Sequence, residues 1–199
     1  GHAPFLIFAD ADVDRAVAEV AASKFRNAGQ TCVCANRIYV HDHVHDAFVE
    51  KFTTLVSALR VGDPLDEATQ VGPLVDRPGQ DKVRAHVDDA VARGARAVVG
   101  GGVGEGLHFE PTVLTGVKAD DPVMAEEIFG PVLPVLSVES VGAAIEFVNE
   151  RSAEGDKPLA LYSFSENDRE NDQVLAEATS GGACVNGTLL HISNPNLPF

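Results

Sequence analysis

ADVDRAVAEVAASKFRNAGQTCVCANRIYV, residues 11–40, is the stretch whose reading decides the fold. Asp10-Ala11-Asp12 offers carboxylates at a helix N-cap, where the unpaired N–H groups and the dipole favour them. Val13, Ala16, Val17, Val20 and Ala21 then recur at helical spacing, which predicts a helix to about Arg26 or Asn27, stopping before Gly29. Arg37-Ile38-Tyr39-Val40 reads as a short strand. A helix that gives way to a strand across a tight loop is the repeating step of a layered α/β protein.

The same alternation continues in the rest of the chain. Val44, Phe48, Phe52, Leu55, Val56 and Leu59 form one helical stripe, ended by Gly62-Asp63-Pro64. Residues 62–80 are rich in Pro and Gly and read as a surface connection. A helix from about Gln80 to Arg93 is predicted to bury Val83, Val87, Ala90 and Val91, with Gly94 as its C-cap. Strands are expected over 97–99, 111–117, 132–138, 159–164 and 183–186. Helices are expected over the stripe Val141, Ala144, Ile145, Val148 and over 167–179. The expected fold is a three-layer α/β/α domain around a largely parallel sheet, with residues 1–199 as a single unit.

Composition narrows the function classes. The chain has 199 residues, 45% hydrophobic and 23% charged, enough for a sizeable core without disulfide staples. A net charge of −15 repels phosphate backbones and anionic lipid, so neither nucleic acid nor a membrane is an expected partner. Three cysteines (Cys32, Cys34 and Cys184) without an export signal suggest a reducing, cytoplasmic setting. The chain starts without Met and stops after Leu197-Pro198-Phe199, which suggests part of a longer polypeptide.

Chemistry concentrates in Lys24-Phe25-Arg26-Asn27-Ala28-Gly29-Gln30-Thr31-Cys32-Val33-Cys34. A cysteine in a loop between a helix and a strand is rigidly carried yet accessible. Nearby amides and Arg26 favour its thiolate, the reactive form. Taken alone, such a cysteine more often packs as a small hydrophobe. Gly29-Gln30-Thr31-Cys32 resembles the Gly-Gln-x-Cys signature of the NAD(P)-dependent aldehyde dehydrogenase superfamily. Ile7-Phe8-Ala9-Asp10-Ala11-Asp12 is similar to the stretch that precedes it there. Glu126-Glu127-Ile128-Phe129-Gly130-Pro131 resembles the Glu-Glu-x-Phe-Gly-Pro signature, and Pro198-Phe199 resembles the start of Pro-Phe-Gly-Gly. The motifs are in family order along the whole chain.

The resemblance implies that Cys32 is the nucleophile. Its thiolate attacks an aldehyde, hydride passes to NAD or NADP, and water hydrolyses the resulting thioester to an acid. The Cys32 N–H is implied as one oxyanion donor, worth about 3 kcal/mol. Glu127 matches the glutamate that holds the nicotinamide ribose, and Phe129 the aromatic residue beside the ring. Without the resemblance, a solvated acidic pair and core packing are the plainer readings. Gly1 matches the last glycine of Glu-Leu-Gly-Gly, which places the general base upstream, along with the oxyanion asparagine and the dinucleotide-binding domain. The isolated chain is therefore expected to be inactive, with its own dinucleotide-binding domain as a partner and a homo-oligomer as the full-length form.

Phe25-Arg26-Asn27 through Cys34 is most similar to the succinate-semialdehyde dehydrogenase branch, where Arg26 and Ser193 match residues that bind the substrate's distal carboxylate. A guanidinium suits that task because it grips both oxygens. The plainer reading of Arg26 is a helix-end cation. Residues 154–162 and 180–186, Leu190-His191 and residues 194–199 resemble the fatty and aromatic aldehyde branch instead. Cys34 is a possible redox partner of Cys32 through a strained, easily reduced disulfide; otherwise it simply packs. His41, His43 and His45 lack partners at zinc-site spacing, so no metal is assigned. Glycines 100–106 fit no nucleotide fingerprint. The rival reading of the chain is a truncated, non-catalytic assembly module; a thiol hydrolase is a further rival.

Overall fold

The computed structural model describes residues 2–153, 155–193 and 196. Gly1 and Pro198-Phe199, which carried two of the motif matches, lie outside the described residues, as do Glu154, Asn194, Pro195 and Leu197. The strands are β1 (Pro4–Ile7), β2 (Arg37–His41), β3 (Arg96–Val99), β4 (Thr112–Thr115), β5 (Val132–Val138), β6 (Ala160–Phe164) and β7 (Gly182–Val185). The helices are α1 (Val13–Phe25), α2 (Asp42–Ser57), α3 (Arg77–Ala92), α4 (Pro122–Ala125), α5 (Val141–Ala153), α6 (Asp168–Glu177) and α7 (Leu190–Ser193).

Among the described residues the strands form one seven-stranded sheet in the order β3-β4-β5-β2-β1-β6-β7. All pairings are parallel except β3 with β4. The crossover from β1 through α1 to β2 runs one way along the sheet; those through α5 to β6 and through α6 to β7 run the other. Right-handed crossovers in opposite directions put their helices on opposite faces. Thus α1, packed on α2, covers one face, and α5, packed on α6, covers the other. This is the expected three-layer architecture.

β1 was not expected as a strand, yet it lies inside the sheet between β2 and β6. Its four residues Pro-Phe-Leu-Ile are all buried, because helices cover both faces. A strand covered on both sides shows no polar alternation, and a run this short carries no period to read. Phe5 stacks on Tyr162 and Phe164 of β6 at ring-centroid separations of 4.5 and 5.7 Å.

Local signals are well placed elsewhere. Asp12 caps α1, its carboxylate accepting from the Arg15 N–H at 3.0 Å. α3 starts three residues earlier than expected, capped by Asp76 and with Pro78 in its first turn. Val91, expected in the core, is 48% exposed on the outer edge of α3. His41 caps α2 by accepting from the His43 N–H at 3.2 Å, so that histidine serves the start of a helix.

Candidate active site

The parallel sheet brings the two chemical motifs together. The cysteine loop leads into β2 and the Glu126–Pro131 segment leads into β5, and β2 and β5 are parallel neighbours in register from Ile38 and Val135. Both segments therefore meet at the N-terminal edge of the sheet. α1 delivers the chain to that edge and ends at Phe25, followed by a turn over Arg26–Gly29. Asn27, Ala28 and Gly29 have φ of 50°, 53° and 75°, three successive left-handed residues. Asparagine and glycine tolerate this region; alanine does so at a cost of about 1–2 kcal/mol, which the surrounding contacts must offset.

Those contacts are specific. Gln30 donates to the carbonyls of Asn27 (3.0 Å) and Pro73 (3.3 Å) and accepts from the Val75 N–H (2.8 Å), tying the loop to the connection before α3. Gly29 presses on the other motif: a Cβ at that position would sit 2.2 Å from the Gly130 carbonyl oxygen. A Cβ on Gly130 would in turn meet Val83 of α3 at 2.3 Å. The two glycines let two backbones approach as no other residues would.

Cys32 follows this turn, half-buried and resting on the core. Among the described residues its backbone N–H has no hydrogen-bond acceptor. Behind it, the Tyr162 hydroxyl donates to the Val33 carbonyl at 2.8 Å. Cys34 is buried and its thiol donates to the Gly29 carbonyl at 3.2 Å. All three cysteines are free thiols.

Gln30, Val75, Gly79, Lys82, Glu127, Ile128 and Phe129 line a cleft of about 330 Å³ beside the loop. Phe129 is 40% exposed with φ 54°, so it is not core packing; its ring is presented to the cleft. The segment is held from both sides. Asn36 donates to the Glu126 carbonyl at 3.3 Å and accepts from the Ile128 N–H at 3.1 Å, and Lys82 donates to the Glu127 carbonyl. Sequence reasoning passed over Asn36, Lys82 and Tyr162, because none belongs to a periodic pattern. Gln30 is legible only as a letter of the Gly-Gln-x-Cys motif.

Arg26 stands apart from that cleft. It is exposed at the far end of the turn and borders a groove against α2, with Phe25, Leu55, Leu59 and Gln70. Among the described residues its guanidinium has no hydrogen-bond or ion-pair partner, so it is not spent as a structural cation. Ser193 is exposed at the end of α7, and its hydroxyl donates locally to the Leu190 carbonyl at 2.7 Å. The structure thus gathers Cys32, Glu127 and Phe129 at one edge of the sheet but does not bring Arg26 and Ser193 into the Glu127 cleft.

A half-buried cysteine follows a turn of three successive left-handed residues, at the same edge of the sheet as a cleft lined by a glutamate and an exposed aromatic ring. The sequence profile of the aldehyde dehydrogenase family matches residues 1–199, and the chain belongs to that family. It is 49% identical to the succinate-semialdehyde dehydrogenase [NADP(+)] GabD of Escherichia coli K12 and 44% identical to the glutarate-semialdehyde dehydrogenase of Pseudomonas putida KT2440. All of this chain is covered in both comparisons, and 40% of each relative. The solved succinate-semialdehyde dehydrogenase of Burkholderia pseudomallei superimposes with a TM-score of 0.92 at 41% identity, over 100% of this chain and 40% of that one. The chain spans about two fifths of the length of these relatives.

Proposed function

We propose that this chain is the nucleophile-bearing catalytic part of an NAD(P)-dependent semialdehyde dehydrogenase, with Cys32 as the attacking group and the dinucleotide-binding part elsewhere in the same polypeptide. The observation that carries this reading is the meeting of the Cys32 loop with the Glu127–Phe129 cleft, locked by the Gly29–Gly130 approach.

The residues of the cleft fit the nicotinamide ribose end of a dinucleotide. A carboxylate accepts from vicinal hydroxyls, an open aromatic ring packs on a planar heterocycle, and 330 Å³ lies within the usual size of ligand clefts. Glu127 holds the ribose and Phe129 borders the ring. When bound, the dinucleotide supplies a hydride acceptor. The chain's own residues do the rest. The Cys32 thiolate adds to the aldehyde carbon, and the Cys32 N–H, without an acceptor among the described residues, is free to donate to the developing oxyanion. After hydride loss the acyl group sits on sulfur as a thioester, which water cleaves to release the acid and the thiol.

The substrate class rests on Arg26 and on the chain's similarity to succinate- and glutarate-semialdehyde dehydrogenases. An exposed guanidinium with no internal partner, carried on the nucleophile turn, suits a carboxylate at the far end of a short aldehyde, as in succinate semialdehyde. The test is Arg26→Ala in the native polypeptide. The KM for succinate semialdehyde should rise about 10–100-fold, as expected for losing a charged hydrogen bond, while hexanal is affected less than about threefold. Equal losses on both aldehydes would exclude Arg26 from carboxylate recognition.

A further inference from the structure

Arg37, the first residue of β2, is 3% exposed, and its guanidinium is the centre of a polar cluster. One terminal nitrogen, Nη2, lies 2.8 Å from the Asp156 carboxylate, 2.7 Å from His2 Nδ1 and 3.3 Å from the Ala125 carbonyl. His2 closes the ring, with its Nε2 2.8 Å from the other Asp156 oxygen. A guanidinium only donates, so His2 Nδ1 accepts; the imidazole is neutral there and its Nε2–H donates to Asp156. Burial, ahead of the Arg37 cation, lowers the His2 pKa to about 4, in keeping with that tautomer.

We propose that the Arg37–Asp156–His2 cluster is a positioning device for the dinucleotide cleft: it aims the Arg37 guanidinium at the Ala125 carbonyl and so sets the course of the backbone that carries Glu127. The proposal rests on the reading of Glu127 as the ribose-holding residue.

Three features select this role. First, the cleft segment has no regular structure of its own: α4 ends at Ala125 and β5 begins at Val132. Between them the backbone hangs on side chains. Arg37 takes the Ala125 carbonyl, Asn36 takes the Glu126 carbonyl and the Ile128 N–H, and Lys82 takes the Glu127 carbonyl. Second, that course is strained: Phe129 sits at φ 54°, a region an aromatic residue holds only when its surroundings over-determine it. Third, Arg37 is aimed from its far end. Its Nε is buried without a hydrogen-bond partner among the described residues, so its contacts with Asp156, His2 and Ala125 fix the guanidinium. A buried ion pair adds little net stability, and its best-attested use is to fix one arrangement over others.

The cluster also ties the cleft to the nucleophile. Asn36 and Arg37 follow the cysteine loop directly, and the Asn36 N–H donates at 3.0 Å to the carbonyl of Ala3, the residue after His2. Asp156 reaches the same point from the loop that follows α5.

The experiment is a double-mutant cycle on dinucleotide affinity in the native polypeptide, with NADP+ and NAD+ as probes and calorimetry as the readout. Asp156→Ala releases the guanidinium and should weaken binding about fivefold, the loss of roughly one ordinary hydrogen bond. In a Glu127→Gln background the same change should weaken it less than about twofold, because the carboxylate it would misplace is already gone. Amide hydrogen exchange should speed up in residues 122–130 and stay unchanged in α1. Unchanged affinity, an equal penalty in both backgrounds, or faster exchange throughout the molecule overturns the proposal. If Asp156→Ala does not fold, His2→Phe takes its place, since it keeps the Arg37–Asp156 pair and removes only the ring nitrogens. It should weaken binding about twofold or more, with the same dependence on Glu127. Failure of both variants to fold assigns the cluster to stability alone and overturns the proposal as well. If Glu127→Gln alone leaves affinity unchanged, the ribose reading of Glu127 fails and this inference with it. If it weakens binding without coupling to Asp156, only this inference fails.

Discussion

Replacing Gly29 by alanine isolates the contact on which the site is built. Two costs arise. One is conformational: φ at Gly29 is +75°, and an L side chain there costs about 1–2 kcal/mol. The other is steric: the added methyl would stand 2.2 Å from the Gly130 carbonyl oxygen, roughly 1 Å inside contact. Gly130 is itself packed against α3, where a Cβ on it would meet Val83 at 2.3 Å. Forcing such a contact adds about 1–3 kcal/mol. The total is about 2–5 kcal/mol, a large share of a domain's stability. Gly116 supplies the control. Its φ is +70°, and a Cβ there would meet nothing nearer than 3.9 Å. Gly116→Ala therefore carries the conformational cost alone. Urea unfolding followed by circular dichroism measures both variants. With a slope of about 2 kcal/mol per molar, Gly29→Ala should unfold about 0.5–1.5 M earlier than Gly116→Ala. Coincident midpoints would refute the claim that the close approach of the two motifs is what forbids a side chain.

Further outcomes follow from other contacts. Tyr162→Phe strands the buried Val33 carbonyl and should cost about 1–3 kcal/mol, measured as a urea midpoint; an unchanged midpoint would mean that this bond does not hold the loop. Asn36→Ala removes both bonds to the Glu126–Ile128 segment and should raise the dinucleotide KM, while iodoacetamide alkylation of Cys32 keeps its rate; parallel losses in both readouts would show a general collapse instead. His86 is buried on α3, and its burial depresses the imidazole pKa despite Glu126 at 3.7 Å. The unfolded histidine then takes its proton first as pH falls through about 6.5, so this contribution is intact above that pH and lost below it. His86→Leu should narrow the gap between urea midpoints at pH 7.5 and pH 5, and an unchanged gap would assign the acid sensitivity elsewhere.

The legible and illegible parts of this fold divide by range. α1 could be read because one face repeats every 3.6 residues and Asp12 sits at its cap; β5 could be read because its seven residues are apolar but for Ser137 and follow Gly130-Pro131. β1 could not, since four apolar residues carry no period, and only its neighbours β2 and β6 make it a strand. Val91 fits the α3 stripe as well as Val87 does, but which flank of the stripe meets the sheet is settled by docking. In the site, Cys32, Glu127 and Phe129 were reachable through motif letters. Asn36 was not: a polar residue bonded to a segment some 90 positions away leaves no local trace.

What the sequence determined by itself is the α/β alternation, the family and which cysteine is the candidate nucleophile, because helical period, turn residues and the Gly-Gln-Thr-Cys string are local properties of the chain. What only the tertiary structure decided is which distant residues that cysteine loop meets. Parallel pairing of β2 with β5 carries two distant loops to one edge, and two glycines let their backbones touch. Strand pairing is a choice among partners far apart in sequence. It is made by burying both faces of the sheet together, and no short stretch of residues encodes it.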